Sequence, residues 1–340
     1  MAAPKLLAAA AAAACACAFY YRNHKRIRRA KSCMRAVRLY PAASAPFRPF
    51  PLVFLAGTSQ KADVWRVRME LLRAAGYECH ALEFVQTGRY LTTYAEQMHK
   101  LRGYIADQLD DARPVLIGHS QGGTKVQQYL LAEIGDAGMA PEQSVRAAVL
   151  MSSSSASLLD ATPAVLCRLA SASGVVRTVC ACLLGTLYLD PGAFLFGGGP
   201  WRHMIGIRGL FNPTTARTTL TSAAGHTDAR IGSAEDCMDG SLSIADWLDT
   251  YICDHDPVVV DFGALRHART PARALAQNGC ALLHMVAAED LLISGAMSVE
   301  IATRWGVKTT LVEGQGHQMG DEGWEQSVMG PLREFLDGLT

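Results

Sequence analysis

Acidic residues are missing from the first 62 positions of this chain, which carry eleven lysines and arginines instead. Over all 340 residues the imbalance disappears, with 32 Lys and Arg against 31 Asp and Glu and a formal net charge of +1. A near-neutral chain has no overall field to draw it onto nucleic acid, so nucleic acid is not expected as a partner. Metal-type cysteine spacing is also absent. Among ten cysteines, Cys15/Cys17 and Cys180/Cys182 are separated by one residue within apolar surroundings, and no second matching pair with zinc-site spacing exists. No metal and no cofactor are expected. The cysteines read as small buried apolar residues of a reducing compartment rather than a disulfide framework. No internal repeat is present. What remains is ordinary globular material, 50% hydrophobic and 19% charged, with enough apolar residues for a large core.

Residues 1–48 are expected to form an N-terminal targeting or anchor segment and a linker. Sixteen apolar residues, Leu6 to Tyr21, are followed by the basic cluster Arg22, Lys25, Arg26, Arg28, Arg29 and Lys31. The run falls slightly short of the ~20 residues that span a bilayer. If it does act as an anchor, residues 6–21 would hold the chain on a membrane, and the positive charge behind them would keep the bulk cytoplasmic. A plastid or mitochondrial transit peptide is the equal alternative, being likewise Ala- and Arg-rich and free of acid. A secretory signal cut near Ala16-Cys17-Ala18 ranks behind both, and an alanine tract without targeting role is the plain alternative. The proline-rich stretch 41–51 leads into a folded domain expected over 49–340.

In that domain short apolar runs alternate with amphipathic segments. Strands are predicted at 52–56, 77–84, 114–118, 145–151, 280–288 and 308–313. Helices are predicted at 61–75, at 93–110, directly after Ser120, at 296–305 and at 323–338. Strands buried on both faces and separated by helices indicate an α/β fold, a mostly parallel sheet with helices on both sides. The alternation stops between about 152 and 279. A helical cap insertion is expected at about 155–257, with 151–160 as its hinge.

The segment Gly118-His119-Ser120-Gln121-Gly122 joins the strand at 114–118 to the following helix. So tight a turn forces its apex toward an unusual backbone conformation and needs small residues two positions to either side. Gly118 and Gly122 supply them, leaving Ser120 free above the sheet at a helix N-terminus. A serine hydroxyl is a weak nucleophile until a base takes its proton. Parallel sheets place such partners on loops at the C-terminal ends of strands. Two later strand ends offer them: Glu289 and Asp290 after 280–288, and His317 after 308–313.

With these residues in view, the chain resembles an α/β-hydrolase fold serine hydrolase of the lysophospholipase, monoacylglycerol-lipase or serine-aminopeptidase-like kind. The resemblance spans about 50–151 and 280–338 and rests on "GHSQGG", the acid after the penultimate strand, and "GQGH" after the last. It implies Ser120 as nucleophile, His317 as base and Asp290 as its orienting acid, with Glu289 in reserve. It also implies two backbone donors for an oxyanion, the N–H groups of Gln121 and Thr58. "FLAGTSQ" stands where relatives show His-Gly, so Ala56 replaces the histidine and Gly57 is kept. His119 is expected to point away from the serine, and His255 to lie in a loop. The resulting activity would be hydrolysis of a small or lipid-like carboxylic ester through an acyl-enzyme. An amide or peptide hydrolase on the same three residues is the alternative within enzymes. A ligand-binding protein that keeps the fold without catalysis is the alternative outside them. Epoxide hydrolases and dehalogenases of this fold use an aspartate nucleophile, and Ser120 argues against both.

Overall fold

The computed structural model describes residues 31–57, 60–87, 94–110, 112–135, 145–154, 280–290, 293, 295–320 and 323–339. The expected anchor at 6–21, the cap at about 155–257, Thr58 and His255 lie outside the described residues. In chain order the elements are β1 (Lys31–Leu39), β2 (Leu52–Leu55), a 3-10 turn (Ala62–Trp65), α1 (Arg66–Ala74), β3 (Cys79–Thr87), α2 (Tyr94–Gln108), β4 (Val115–His119), α3 (Gln121–Gly135), β5 (Ala147–Met151), β6 (Ala281–Ala287), α4 (Gly295–Trp305), β7 (Thr309–Val312), α5 (Trp324–Ser327) and α6 (Met329–Asp337).

The seven strands form one sheet in the order β1-β3-β2-β4-β5-β6-β7. All neighbours are parallel except β1, which runs antiparallel to β3 over nine residue pairs from Lys31↔Thr87 to Leu39↔Cys79. Because side chains alternate across a strand, each central strand feeds two cores. Leu52, Phe54, Val115, Ile117, Ala147, Val149 and Met151 meet Trp65, Met69, Leu72, Trp324, Leu332 and Leu336 on one face. Val53, Leu55, Leu116, Ala148 and Leu150 meet Leu101, Ile105, Val126, Leu130, Ile301 and Trp305 on the other. Phe54, Leu116 and Ile117 are wholly enclosed, so trimming any one to alanine is expected to cost about 2–5 kcal/mol.

The sheet starts upstream of the boundary placed at residue 48, because 31–39 form β1. Its apolar residues are split between both faces: Met34 and Ala36 pack toward one core, Val37 and Leu39 toward the other. Arg35 and Arg38 interrupt the pattern, and both guanidinium groups find acceptors elsewhere in the fold. Arg35 donates to Asp63 Oδ2 at 3.1 Å, and Arg38 to Gln108 Oε1 at 2.8 Å. Two predicted helices are each divided. The segment 61–75 opens as the 3-10 turn before α1, and 323–338 breaks at Val328 into α5 and α6. Pro331 explains the second break: without an N–H it is tolerated only in the first turn of a helix, and it falls in the first turn of α6.

Candidate active site

Ser120 lies between the last residue of β4 and the first of α3 with φ +53°, in the left-handed region that non-glycine residues avoid at a cost of about 1–3 kcal/mol. Its backbone is held from several sides. Ser120 N–H donates to Met151 O at 3.0 Å, and Ser120 O accepts from Gly123 N–H at 3.0 Å. The flanking glycines are required by contact. A β-carbon on Gly122 would stand 1.9 Å from Leu55 O, and one on Gly118 would stand 2.4 Å from Gly122 O. Gly123 belongs to the same constraint, since its β-carbon would meet Ser153 Oγ at 2.3 Å. Ser120 is partly accessible, whereas His119 and Gln121 on either side of it are buried.

Asp290 follows β6 and His317 follows β7, and the fold brings the two side chains together. His317 Nδ1–H donates to Asp290 Oδ2 at 2.8 Å, and both side chains are almost fully enclosed. The second carboxylate oxygen, Oδ1, accepts the Ile293 N–H at 2.8 Å. Asp290, not Glu289, therefore meets the ring; Glu289 is only partly buried, and its N–H donates to Gln315 O at 3.1 Å. With Nδ1 committed to the carboxylate, Nε2 is the ring nitrogen left to take or give a proton. Ser120 Oγ makes no hydrogen bond to it in this structure, and such bonds commonly tighten only when substrate is seated. Ser120 is nonetheless tied to His317 through its neighbour. The His119 and His317 rings lie 4.8 Å apart, and His119 Nε2–H donates to His317 O at 2.7 Å. A carbonyl can only accept, which fixes the His119 tautomer. Burial pushes the His119 ring well below the ordinary histidine range; charge on the nearby His317 and Arg68 acts in the same direction, and the hydrogen bond to His317 O opposes it.

Of the two expected oxyanion donors, Gln121 is buried and opens α3, where helix N–H groups lack intrahelical partners. Thr58 lies outside the described residues. The turn before it is held by a residue that sequence reasoning did not single out. Gln60 is buried, and its Oε1 accepts the Gly57 N–H at 2.8 Å. Gln60 Oε1 and Ser120 Cβ both lie within 3.2 Å of where a Gly57 β-carbon would stand, so this turn borders the serine. The Gln60 carboxamide thus braces the backbone at Gly57 from within the same turn.

The serine run after β5 is structural over its described part. Ser152, Ser153 and Ser154 are buried; residues 155–160 of the expected hinge lie outside the described residues. Ser152 Oγ accepts the Ala287 N–H at 3.2 Å. Thr124 Oγ1 and Ser154 Oγ lie 2.6 Å apart, Gln127 Nε2 donates to Ser153 Oγ at 2.9 Å, and Trp305 Nε1–H donates to Gln127 Oε1 at 2.9 Å. This polar layer fastens α3 to the end of β5 beneath the Ser120 turn. The only available signal was "SSSS" directly after a strand, which composition alone assigns to a loop.

Among the described residues no group of three or more His, Cys, Asp or Glu could hold a metal ion. Also among them, no helix is long and apolar enough to cross a membrane. Cys79 and Cys280 are buried thiols, and burial pushes the Cys79 thiol far up, so it is not a reactive thiolate.

The same architecture recurs in solved structures. A monoacylglycerol lipase from Paleococcus ferrophilus is 15% identical, with 91% of this chain and 100% of that one covered and a TM-score of 0.54. A thermophilic esterase from Thermogutta terrifontis is 13% identical over 90% and 93% of the two chains, with a TM-score of 0.55. A putative non-heme bromoperoxidase from Mycobacterium tuberculosis is 14% identical over 91% and 97%, with a TM-score of 0.54. At such identities the likeness concerns the fold alone. No curated protein matches the chain. Residues 52–322, running from β2 past His317, match the alpha/beta hydrolase family, and with the sheet order and the Ser120 turn in agreement, the chain belongs to that family.

Proposed function

We propose that this chain hydrolyses carboxylic esters, small or lipid-like, through an acyl-enzyme formed on Ser120. One observation carries the proposal: a serine at φ +53° on a strand-to-helix turn, one residue from a ring contact with a histidine that is itself bonded to a buried carboxylate. Strain of this kind persists only where surrounding structure enforces it, and it concentrates at sites of function. The lipase and the esterase among the similar structures are in keeping with the substrate class.

In this mechanism His317 Nε2 takes the Ser120 hydroxyl proton as Oγ attacks the acyl carbon. The developing oxyanion is met by the Gln121 and Thr58 N–H groups. The imidazolium stays paired with Asp290, then gives its proton to the departing alkoxide as the C–O bond breaks. Water, deprotonated by the same nitrogen, attacks the acyl carbon and frees the acid, and the proton returns to Ser120 Oγ. Proton transfer by the histidine contributes about 10²–10⁴-fold. Each oxyanion donor contributes about 10²–10³-fold.

The deciding experiment is fluorophosphonate labelling of the full chain beside Ser120→Ala, followed by turnover of p-nitrophenyl esters of graded chain length. Label on Ser120 and steady turnover, both lost in the variant, are expected. A variant that still labels and turns over would remove Ser120 from the mechanism.

We also propose that residues 6–21 associate the chain with a membrane. Their unbroken apolar character and the basic cluster behind them support this.

A further inference from the structure

Arg68 belongs to α1, yet its partners lie at the other end of the chain. Its Nη2 donates to Gln318 O at 3.1 Å and to Met319 O at 2.7 Å, the two carbonyls that follow His317. The guanidinium is clasped between two indoles, 5.3 Å from the centre of Trp65 and 5.2 Å from that of Trp324. Among the described residues it makes no ion pair, and its buried Nε has no hydrogen-bond partner. Burial lowers its pKa to about 10, so it stays charged at neutral pH.

The turn it holds runs from Gly316 to Met319. Gly316 O accepts the Met319 N–H at 2.9 Å, and His317 O accepts from His119. The carbonyls of 318 and 319 are left for Arg68, which completes the bonding of four successive carbonyls. Met319 has φ +50°, a left-handed conformation without glycine's freedom to adopt it, so this stretch needs external restraint. A charged fork donating to neutral carbonyls gives stronger bonds than a neutral donor would. Flanking aromatic faces hold the planar group in one orientation.

We propose that Arg68 is a positioning residue for His317: clasped by Trp65 and Trp324, it holds the backbone just past the histidine and so fixes where the ring stands relative to Ser120. This rests on the function proposed above, in which His317 is the base. A displacement of about 1 Å at a reacting group can cost ~10²-fold in rate, so partial loosening is expected to cost less.

The test uses the full chain with Arg68→Met, which fills the slot between the indoles but donates nothing, and Arg68→Lys, which keeps the charge and a donor. For folded Arg68→Met, kcat on a p-nitrophenyl ester and the fluorophosphonate labelling rate are expected to fall about tenfold with KM within about twofold. The downfield proton resonance of His317 Nδ1–H should broaden. Arg68→Lys, which lacks the planar fork that reaches both carbonyls, should recover only part of the rate and keep that resonance. Wild-type kcat, labelling and resonance in folded Arg68→Met would overturn the proposal. If Arg68→Met does not fold, Arg68→Lys decides: a labelling rate reduced about threefold or more supports the proposal, and an unchanged one overturns it. Ser120→Ala separates the two levels. If it stays active, the function reading fails; if it is inert while Arg68→Met works normally, only the Arg68 assignment fails.

Discussion

His317 Nδ1 and Asp290 Oδ2 are 2.8 Å apart, and both side chains are almost fully enclosed. A carboxylate here can only accept, so it holds the hydrogen on Nδ1 and leaves the Nε2 lone pair for proton transfer. Asp290→Asn keeps the shape but can offer an N–H to the ring, favouring the opposite tautomer. The expected result is a fall in kcat of ~10³–10⁴-fold with little change in KM. Glu289→Gln should stay within about threefold of wild type, because Glu289 does not meet the ring. Steady-state kinetics on one ester compares the two.

Ser120 carries a backbone that only glycine adopts freely, so its side chain and its strain can be separated. Ser120→Ala and Ser120→Gly should both be inert, yet differ in stability. Relief of the left-handed conformation is worth about 1–2 kcal/mol, against an unfolded-state entropy cost of about 0.5–1 kcal/mol for the added glycine. Ser120→Gly is therefore expected to be more stable than Ser120→Ala by up to about 1 kcal/mol, read from urea midpoints.

Gly122→Ala puts a β-carbon 1.9 Å from Leu55 O, a backbone atom of β2 that cannot move without displacing the sheet. A loss above about 3 kcal/mol, or failure to fold, is expected. Gly103→Ala is the control. It is partly buried inside α2, no atom beyond its chain neighbours and the adjacent helix backbone lies within 4 Å of its added carbon, and helix propensity should stabilise it by up to about 1 kcal/mol. Thermal unfolding of the two variants tests both signs.

Strands and helices built from continuous apolar runs were legible in the sequence, because β2, β4 and β5 are buried on both faces and their glycines and caps mark the ends. The turn at Ser120 was legible for a related reason: Gly118 and Gly122 are dictated by backbone contact. The elements that escaped have mixed patterns. β1 alternates Met34 and Ala36 with Val37 and Leu39 but carries Arg35 and Arg38, and these merged with the basic cluster before it. The 152–154 serines and Arg68 act through partners distant in the chain, and no local pattern encodes a bond between residues 68 and 319; Gln60 acts on Gly57 three residues away, through a side chain that no motif marks. The pairing of Asp290 with His317, with Glu289 in reserve, follows from strand ends and a resemblance, and the 2.8 Å contact between the two side chains agrees with it.

His284 on β6 offers a test of acid stability. It is fully enclosed, its Nδ1 lies 3.1 Å from Thr309 Oγ1, and its Nε2 has no partner. Burial lowers its pKa from 6.5 to about 4. The unfolded chain therefore binds this proton first as pH falls. The neutral ring's contribution is fully present above about pH 6.5 and is lost as pH drops toward 4, amounting to order 3 kcal/mol at most. His119, also pushed down by burial, adds loss in the same direction, so the contrast must be made with a variant. His284→Leu removes the titrating group and the orphaned nitrogen together. Its urea midpoint should decline less than wild type between pH 7 and pH 4.5. Parallel declines in the two proteins would show that His284 does not titrate on unfolding.

The chain's first 62 residues, free of acid, raise a separate expectation about where it resides. If residues 6–21 associate with a membrane, the intact chain should sediment with membranes and leave them in detergent rather than in high salt, because apolar insertion is insensitive to ionic screening. A chain lacking residues 1–30 should be released into the soluble fraction with unchanged ester turnover, since the sheet begins at Lys31. Fractionation combined with N-terminal sequencing reads both outcomes. Recovery of a soluble protein whose N-terminus falls after residue 21 would instead identify the segment as a removed targeting peptide and exclude the anchor.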